Sequence, residues 1–260
     1  MHSPWAVRIG DDGLATLILA NPPLNLWDRG VQTGLATALG ELEALTPRAV
    51  LVRAEGRVVS AGVDIGLFRQ IVDPAEGQRL FTEMIELATQ VNRLPCPTVF
   101  VAHGLCLTWA FELALACDFI IAARSATFGL IEATVGLTPS MGGTQRLAER
   151  IGIGRARNLV MTAARLGAEQ LWHWGGIDQV VDDDALDGEA LRLVGTLAAG
   201  PTRAHAATKA VLRGWAHGGV EEADRIAPAV AGALFDTKDL RGALDTFADK
   251  GPGHAVFAGR

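Results

Sequence analysis

Short, dense apolar runs broken by Gly, Pro and Asp fill the first half of the chain, and stretches with an apolar residue every third or fourth position alternate with them. Trp5 to Ile9 and Leu14 to Ala20 read as a β-hairpin, because Asp11-Asp12-Gly13 between them offers a glycine for positive φ. Asn21-Pro22-Pro23 ends the second strand, since proline donates nothing to a ladder. In Asp28 to Leu45, Val31, Leu35, Leu39 and Leu42 recur at helical spacing. Ala49 to Arg53 is a short buried strand, a loop runs to Asp64, and helices follow through Arg93 with a break near Asp73-Pro74. Pro97 to Ala102 predicts a strand, His103-Gly104 a turn, Trp109 to Ala116 a helix and Asp118 to Ala122 another strand. Three short helices (Gly142–Arg150, Ile153–Met161, Ala168–Trp174) and a strand at Ile177–Val181 complete an α/β core. From Ala185 to about Lys250 the pattern is helical, interrupted near Gly200-Pro201 and Gly218-Gly219. The division expected is a core over 1–198 and a helical C-terminal segment over 199–260.

Composition narrows the function. Of 260 residues, 49% are hydrophobic and 20% charged, which excludes a disordered chain. The 23 Lys and Arg against 29 Asp and Glu leave a net charge of −6, so a nucleic-acid partner is not expected. The longest apolar stretch, Thr98 to Ala123, contains His103, Glu112 and Asp118, a load that reads as buried strand and helix and not as a membrane span. Three cysteines, Cys96, Cys106 and Cys117, sit among apolar neighbours as buried thiols. Met-His-Ser-Pro-Trp at the start lacks a basic region followed by an apolar run, and a cytoplasmic location is the expectation.

The familiar catalytic motifs are missing: no phosphate loop, no dinucleotide fingerprint, no nucleophile elbow. The six histidines and three cysteines have no metal-ligand spacing, so no metal is expected. His103, beside the Gly104 turn, reads as a structural histidine. What stands out is a pair of carboxylates in apolar company. Glu112 is the one charge in Trp109-Ala110-Phe111-Glu112-Leu113-Ala114-Leu115-Ala116, and Glu132 follows Phe128-Gly129-Leu130-Ile131. Burial raises a carboxyl pKa toward the range useful for proton transfer, and two such groups brought together can hold a water. Alternatively both are ion-paired or partly exposed and have no role.

Four fragments occur in order: Ser60-Ala61-Gly62-Val63-Asp64-Ile65, Glu112-Leu113-Ala114-Leu115-Ala116-Cys117-Asp118, Phe128-Gly129-Leu130-Ile131-Glu132 and Gly142-Gly143-Thr144-Gln145-Arg146-Leu147. With the tail Phe235-Asp236-Thr237-Lys238-Asp239 and Phe247-Ala248-Asp249-Lys250, they resemble the enoyl-CoA hydratase/isomerase (crotonase) superfamily over essentially the whole chain. The resemblance implies a ClpP-like spiral of ββα units with a helical C-terminal segment packed in a trimer or a dimer of trimers. It implies an acyl-CoA thioester substrate and no separate cofactor. It implies that the thioester oxygen lies between two backbone N–H groups, here Val63 and Trp109, while Glu112 and Glu132 handle water and protons. Arg57, Ala61, Ile65, Phe247 and Lys250 match positions that meet coenzyme A, the last two often of the adjacent subunit.

Two departures from the family pattern bear on function. A lysine often found just past the Ile65 position is absent, Gly66 and Leu67 standing there. Where most members have a Gly-Gly-Gly run before the first Glu, this chain has Thr108-Trp109-Ala110. The indole then occupies the acyl pocket or the space beneath it, and an altered or narrowed acyl site is expected. The resulting reading is an enoyl-CoA hydratase. Its alternatives are a double-bond isomerase or another crotonase-fold enzyme on a specialised acyl thioester, and a non-catalytic acyl-CoA-binding scaffold.

Overall fold

The computed structural model describes residues 3–260. Strands β1 (Trp5–Ile9) and β2 (Leu14–Leu19) form the antiparallel hairpin, with Trp5 opposite Leu19 and Ile9 opposite Ala15. Helix α1 (Arg29–Leu45) starts where the Asp28 carboxylate accepts the Val31 N–H, and buries Val31, Leu35, Leu39 and Leu42. Strand β3 (Ala49–Ala54) pairs parallel with β2, short helix α2 (Ile65–Arg69) follows a loop, and α3 (Pro74–Arg93) is capped by Asp73 with proline at its first turn. Next come β4 (Thr98–Ala102), β5 (Leu105–Leu107), α4 (Trp109–Ala116), β6 (Phe119–Ala123) and β7 (Thr127–Gly129). A 3₁₀ turn (Glu132–Val135), α5 (Gly143–Ile151), α6 (Ile153–Thr162), β8 (Arg165–Gly167), α7 (Ala168–His173), β9 (Gln179–Val181) and α8 (Leu186–Ala199) complete the core. Helix α9 (Thr202–Gly232) kinks at Gly218-Gly219, as the glycine pair predicts, and α10 (Lys238–Lys250) follows.

Six strands form one sheet in the order β1-β2-β3-β4-β6-β9, parallel except for the opening hairpin. A second, small sheet, β5-β7-β8, is absent from the sequence reading in two of its strands, because β5 and β8 are only three residues long and show no period. All five residues of β4 and all eight of α4 are buried, as strands and helices covered on every side must be. Cys96, Cys106 and Cys117 are free and buried. The last member of the main apolar core is Ala198. Beyond it α9 is held by a polar anchor. Lys209, 8% exposed, donates from Nζ to Asp118 Oδ2 (2.7 Å) and to the Cys96 carbonyl (2.9 Å). Among the described residues no helix is long and apolar enough to cross a membrane.

Candidate active site

Three segments far apart in sequence converge at the N-terminal end of α4. The first is the loop 59–64. Ser60 bridges to Cys106 of β5, with its N–H on the Leu105 carbonyl and its carbonyl accepting the Leu107 N–H. Val63 bridges to Trp27, through Trp27 N–H on the Gly62 carbonyl (3.0 Å) and Asp64 N–H on the Trp27 carbonyl (2.9 Å). Asn25, 2% exposed, ties this loop down from behind: its amide donates to the Glu55 and Val58 carbonyls, and its own carbonyl accepts the Ser60 hydroxyl at 2.7 Å. A peptide unit is planar and trans, so its C=O and N–H point in opposite directions. With the Gly62 oxygen bonded toward Trp27, the Val63 N–H faces the other way, and among the described residues it has no acceptor.

The second segment is the start of α4. Trp109 is its first residue, so its N–H has no intrahelical acceptor and lies at the positive end of the helix dipole. Thr108, just before it, has φ 51° and ψ −124°, a conformation that costs a non-glycine residue about 1–3 kcal/mol. Its N–H bonds the Gly129 carbonyl, its carbonyl accepts the Glu112 N–H, and its buried hydroxyl has no partner. Val63 and Trp109 thus each have an unused N–H, one in the loop 59–64 and one just after the strained Thr108. Unused backbone N–H groups are the kind of donor from which an oxyanion hole is built.

Glu112 is 2% exposed in the first turn of α4. The third segment, the loop 140–143, wraps it. Glu112 Oε2 accepts the Met141 N–H (2.8 Å) and the Gly143 N–H (2.7 Å), the latter at the N-terminus of α5. A Cβ on Gly143 would stand 2.5 Å from Glu112 Cγ, so only glycine allows this approach. Arg146 Nη1 binds the Met141 carbonyl at 3.2 Å and steadies the loop. Glu132 opens the 3₁₀ turn after β7, and its Oε2 is buried without a partner.

Electrostatics raises the pKa of both carboxyls. Burial pushes Glu112 up to about 7, against the pull of its amide donors and the Arg146 charge. Burial, followed by the charge of Glu112, pushes Glu132 up to about 8. The two carboxyls titrate as a coupled pair in the range where one proton can be shared between them. Glu112 and Glu132 are near enough for the charge of one to raise the pKa of the other.

The indole of Trp109 does not narrow an acyl pocket. It is 1% exposed, turned into the core against Trp5 and Trp27 (ring centroids 6.4 and 4.9 Å away), because its Nε1–H finds acceptors there in Ser60 Oγ and the Gly62 carbonyl, both at 2.9 Å. Of the two places the sequence leaves open, the space beneath is occupied. His103 is structural in the way expected, its Nε2 on the Gly56 carbonyl at 3.0 Å. Arg57, Ile65, Phe247 and Lys250 are exposed on the isolated chain, and Ala61 is partly buried. Leu67, where the family lysine is missing, is buried. The sequence assigns no role to Asn25, although it follows the strand-ending Pro22-Pro23, and Ser60 and Gly143 occur only inside the quoted fragments, with no contact to Trp109 or Glu112 foreseen.

A family profile described as enoyl-CoA hydratase/isomerase matches residues 10–257. The enoyl-CoA isomerase/hydratase fer4 of Mycosarcoma maydis is 35% identical over 210 residues, 78% of this chain and 74% of that protein. The 1,2-epoxyphenylacetyl-CoA isomerase of Escherichia coli is 35% identical over 199 residues, 74% of this chain and 75% of that one. Among solved structures, a putative enoyl-CoA hydratase from Streptomyces coelicolor superposes with a TM-score of 0.91 at 28% identity, covering 99% of this chain and 94% of its own.

Proposed function

Because the chain belongs to the enoyl-CoA hydratase/isomerase family, we propose that it adds water reversibly to the double bond of a 2-enoyl-CoA thioester. The observation that carries this reading is the pair Glu112 and Glu132: the first is buried with two amide donors on Oε2, and the second feels its charge and has a buried Oε2 without a partner. A water held by the two carboxyls attacks the β-carbon as Glu112 takes its proton. The electron pair moves onto the thioester oxygen, where the Val63 and Trp109 N–H groups receive it. Glu132 delivers its proton to the α-carbon, the enolate collapses to the 3-hydroxyacyl thioester, and the proton on Glu112 returns the pair to its starting state. Donors that meet charge as it develops supply most of the acceleration in such a site.

A groove of about 380 Å³ lined by Phe68, Ile71, Phe81 and Leu137 opens near the Glu132 turn, and we assign the acyl chain to it. Arg57, Ala61 and Ile65 are assigned to coenzyme A from this chain. Phe247 and Lys250, exposed on α10, are assigned to the coenzyme of a neighbouring copy in a trimer.

The proposal is tested by incubating the protein with 2-enoyl-CoA thioesters of C4 to C16 in ¹⁸O-labelled water and in deuterium oxide. Hydration places ¹⁸O on the β-carbon and deuterium on the α-carbon. A second reading, double-bond isomerisation with Glu132 as proton shuttle, is favoured by its unpartnered oxygen and by the isomerase activity in the names of the two relatives. It predicts deuterium without ¹⁸O.

A further inference from the structure

We propose that the indole of Trp109 is a positioning residue of the oxyanion hole, holding the oxygen end of the Gly62–Val63 peptide so that its N–H end is aimed at the thioester. The inference rests on the hydratase reading and goes beyond it, because it gives a side chain a task at a position where the family pattern has glycine.

One residue reaches both halves of the hole. The backbone N–H of Trp109 is one donor. Its Nε1–H is 2.9 Å from the carbonyl oxygen of Gly62, in the peptide unit whose other end is the second donor, Val63 N–H. That oxygen also accepts the Trp27 N–H at 3.0 Å. Donors on a carbonyl oxygen polarise the whole amide, and its N–H becomes a stronger donor in turn. They also fix the plane of a peptide that follows a glycine at φ 130°, a conformation with little restoring force of its own.

The neighbouring hydroxyl does not duplicate the indole. Ser60 Oγ lies 3.2 Å from the same Gly62 oxygen but has a single proton, which the Asn25 carbonyl holds at 2.7 Å. It is left to accept, from the Gly62 N–H (3.1 Å) and from the indole (2.9 Å). Without the indole N–H, the Gly62 oxygen keeps one backbone donor from Trp27.

The test compares the full-length protein with Trp109→Phe and with a form carrying β-(3-benzothienyl)alanine at position 109, which keeps the shape of the indole and loses its N–H. Hydration kinetics are read alongside the Raman carbonyl band of a bound enoyl-CoA thioester. Removing a whole oxyanion donor costs about 10²–10³-fold in kcat, so misaiming one is expected to cost about 10–100-fold, with KM changed less than about 3-fold. The carbonyl band of the bound thioester should move back toward its frequency in water. Trp5→Phe, which removes another indole of the same cluster (Nε1 on the Val31 carbonyl), should leave band and kcat unchanged. If Trp109→Phe fails to fold, the benzothienyl form decides. A wild-type band shift that survives loss of the Nε1–H overturns the positioning role alone. A wild-type protein that binds the thioester with no band shift overturns the oxyanion hole, and this inference with it.

Discussion

Helix α4 has a carboxylate at each end, and the two are treated in opposite ways. Asp118, just past its C-terminus, directs Oδ2 at three donors: the Thr98 N–H (2.8 Å), the Thr98 hydroxyl (2.9 Å) and the Lys209 ammonium (2.7 Å). Glu112, in its first turn, has amide donors on one oxygen and a second carboxyl opposite, whose Oε2 has no partner. The first arrangement supplies a full counter-charge and ties the C-terminal helices to the sheet. The second supplies enough polarity to bury a carboxylate and too little to settle where its proton resides. Complete partnering makes an anchor, and incomplete partnering makes an acid and a base.

The sharpest way to break this contrast is at the incomplete end. Glu132→Gln and Glu112→Gln should each lower the hydration rate roughly 10²–10⁴-fold with folding retained. Near-normal rates in either variant, measured at the enoyl-thioester absorbance, would remove that carboxylate from the chemistry. Gly143→Ala puts a Cβ 2.5 Å from Glu112 Cγ, and the shift of about 1 Å that relieves this contact should cost about 10²-fold in kcat without a comparable loss of stability. An unaffected kcat would mean that the close approach is incidental.

At the other end, Lys209→Ala leaves Asp118 without its cation and should destabilise the chain by about 3 kcal/mol in urea unfolding. Its hydration rate per folded molecule should stay within about 3-fold of wild type, and a larger loss would show that the anchor also shapes the site. The smallest effects are in pH. Both site carboxyls titrate in the folded chain at about 7 and about 8, above about 4.3 for an unfolded glutamate. The stability these groups add is therefore complete below about pH 4.3 and is lost as the pH rises through 7 and 8. Glu132→Gln should flatten that decline, so its stability relative to wild type grows from pH 5 to pH 8.5. The rate of wild type should fall on both sides of a narrow optimum, with limbs that belong to the pair. A rate flat from pH 6 to pH 9 would contradict the raised, coupled titration of the pair.

Much of the site is legible in the chain because it is built from local signals. Glu112 stands out as the one charge in a helix of eight buried residues, and Glu132 as a carboxyl after an apolar strand. The Gly218-Gly219 kink and the Asp28 and Asp73 caps follow from the residues themselves. The indole of Trp109 could not be placed in this way: its partners, Ser60 and Gly62, are 49 and 47 residues away. Asn25 was missed for the same reason, since its amide serves carbonyls 30 and 33 residues further on.

By itself, then, the sequence determined the alternation of strands and helices, the apolar setting of the two carboxylates and the glycine pair that kinks the long C-terminal helix. These depend on periodicity and on backbone freedom, which act over a few residues. Only the tertiary structure decided which amides reach Glu112, which second carboxyl its charge acts on and on which side of the Gly62–Val63 peptide the indole lies. Hydrogen bonds are short and directional, and whether a donor 30 or 50 residues away arrives within 3 Å is settled when sheet and helices pack.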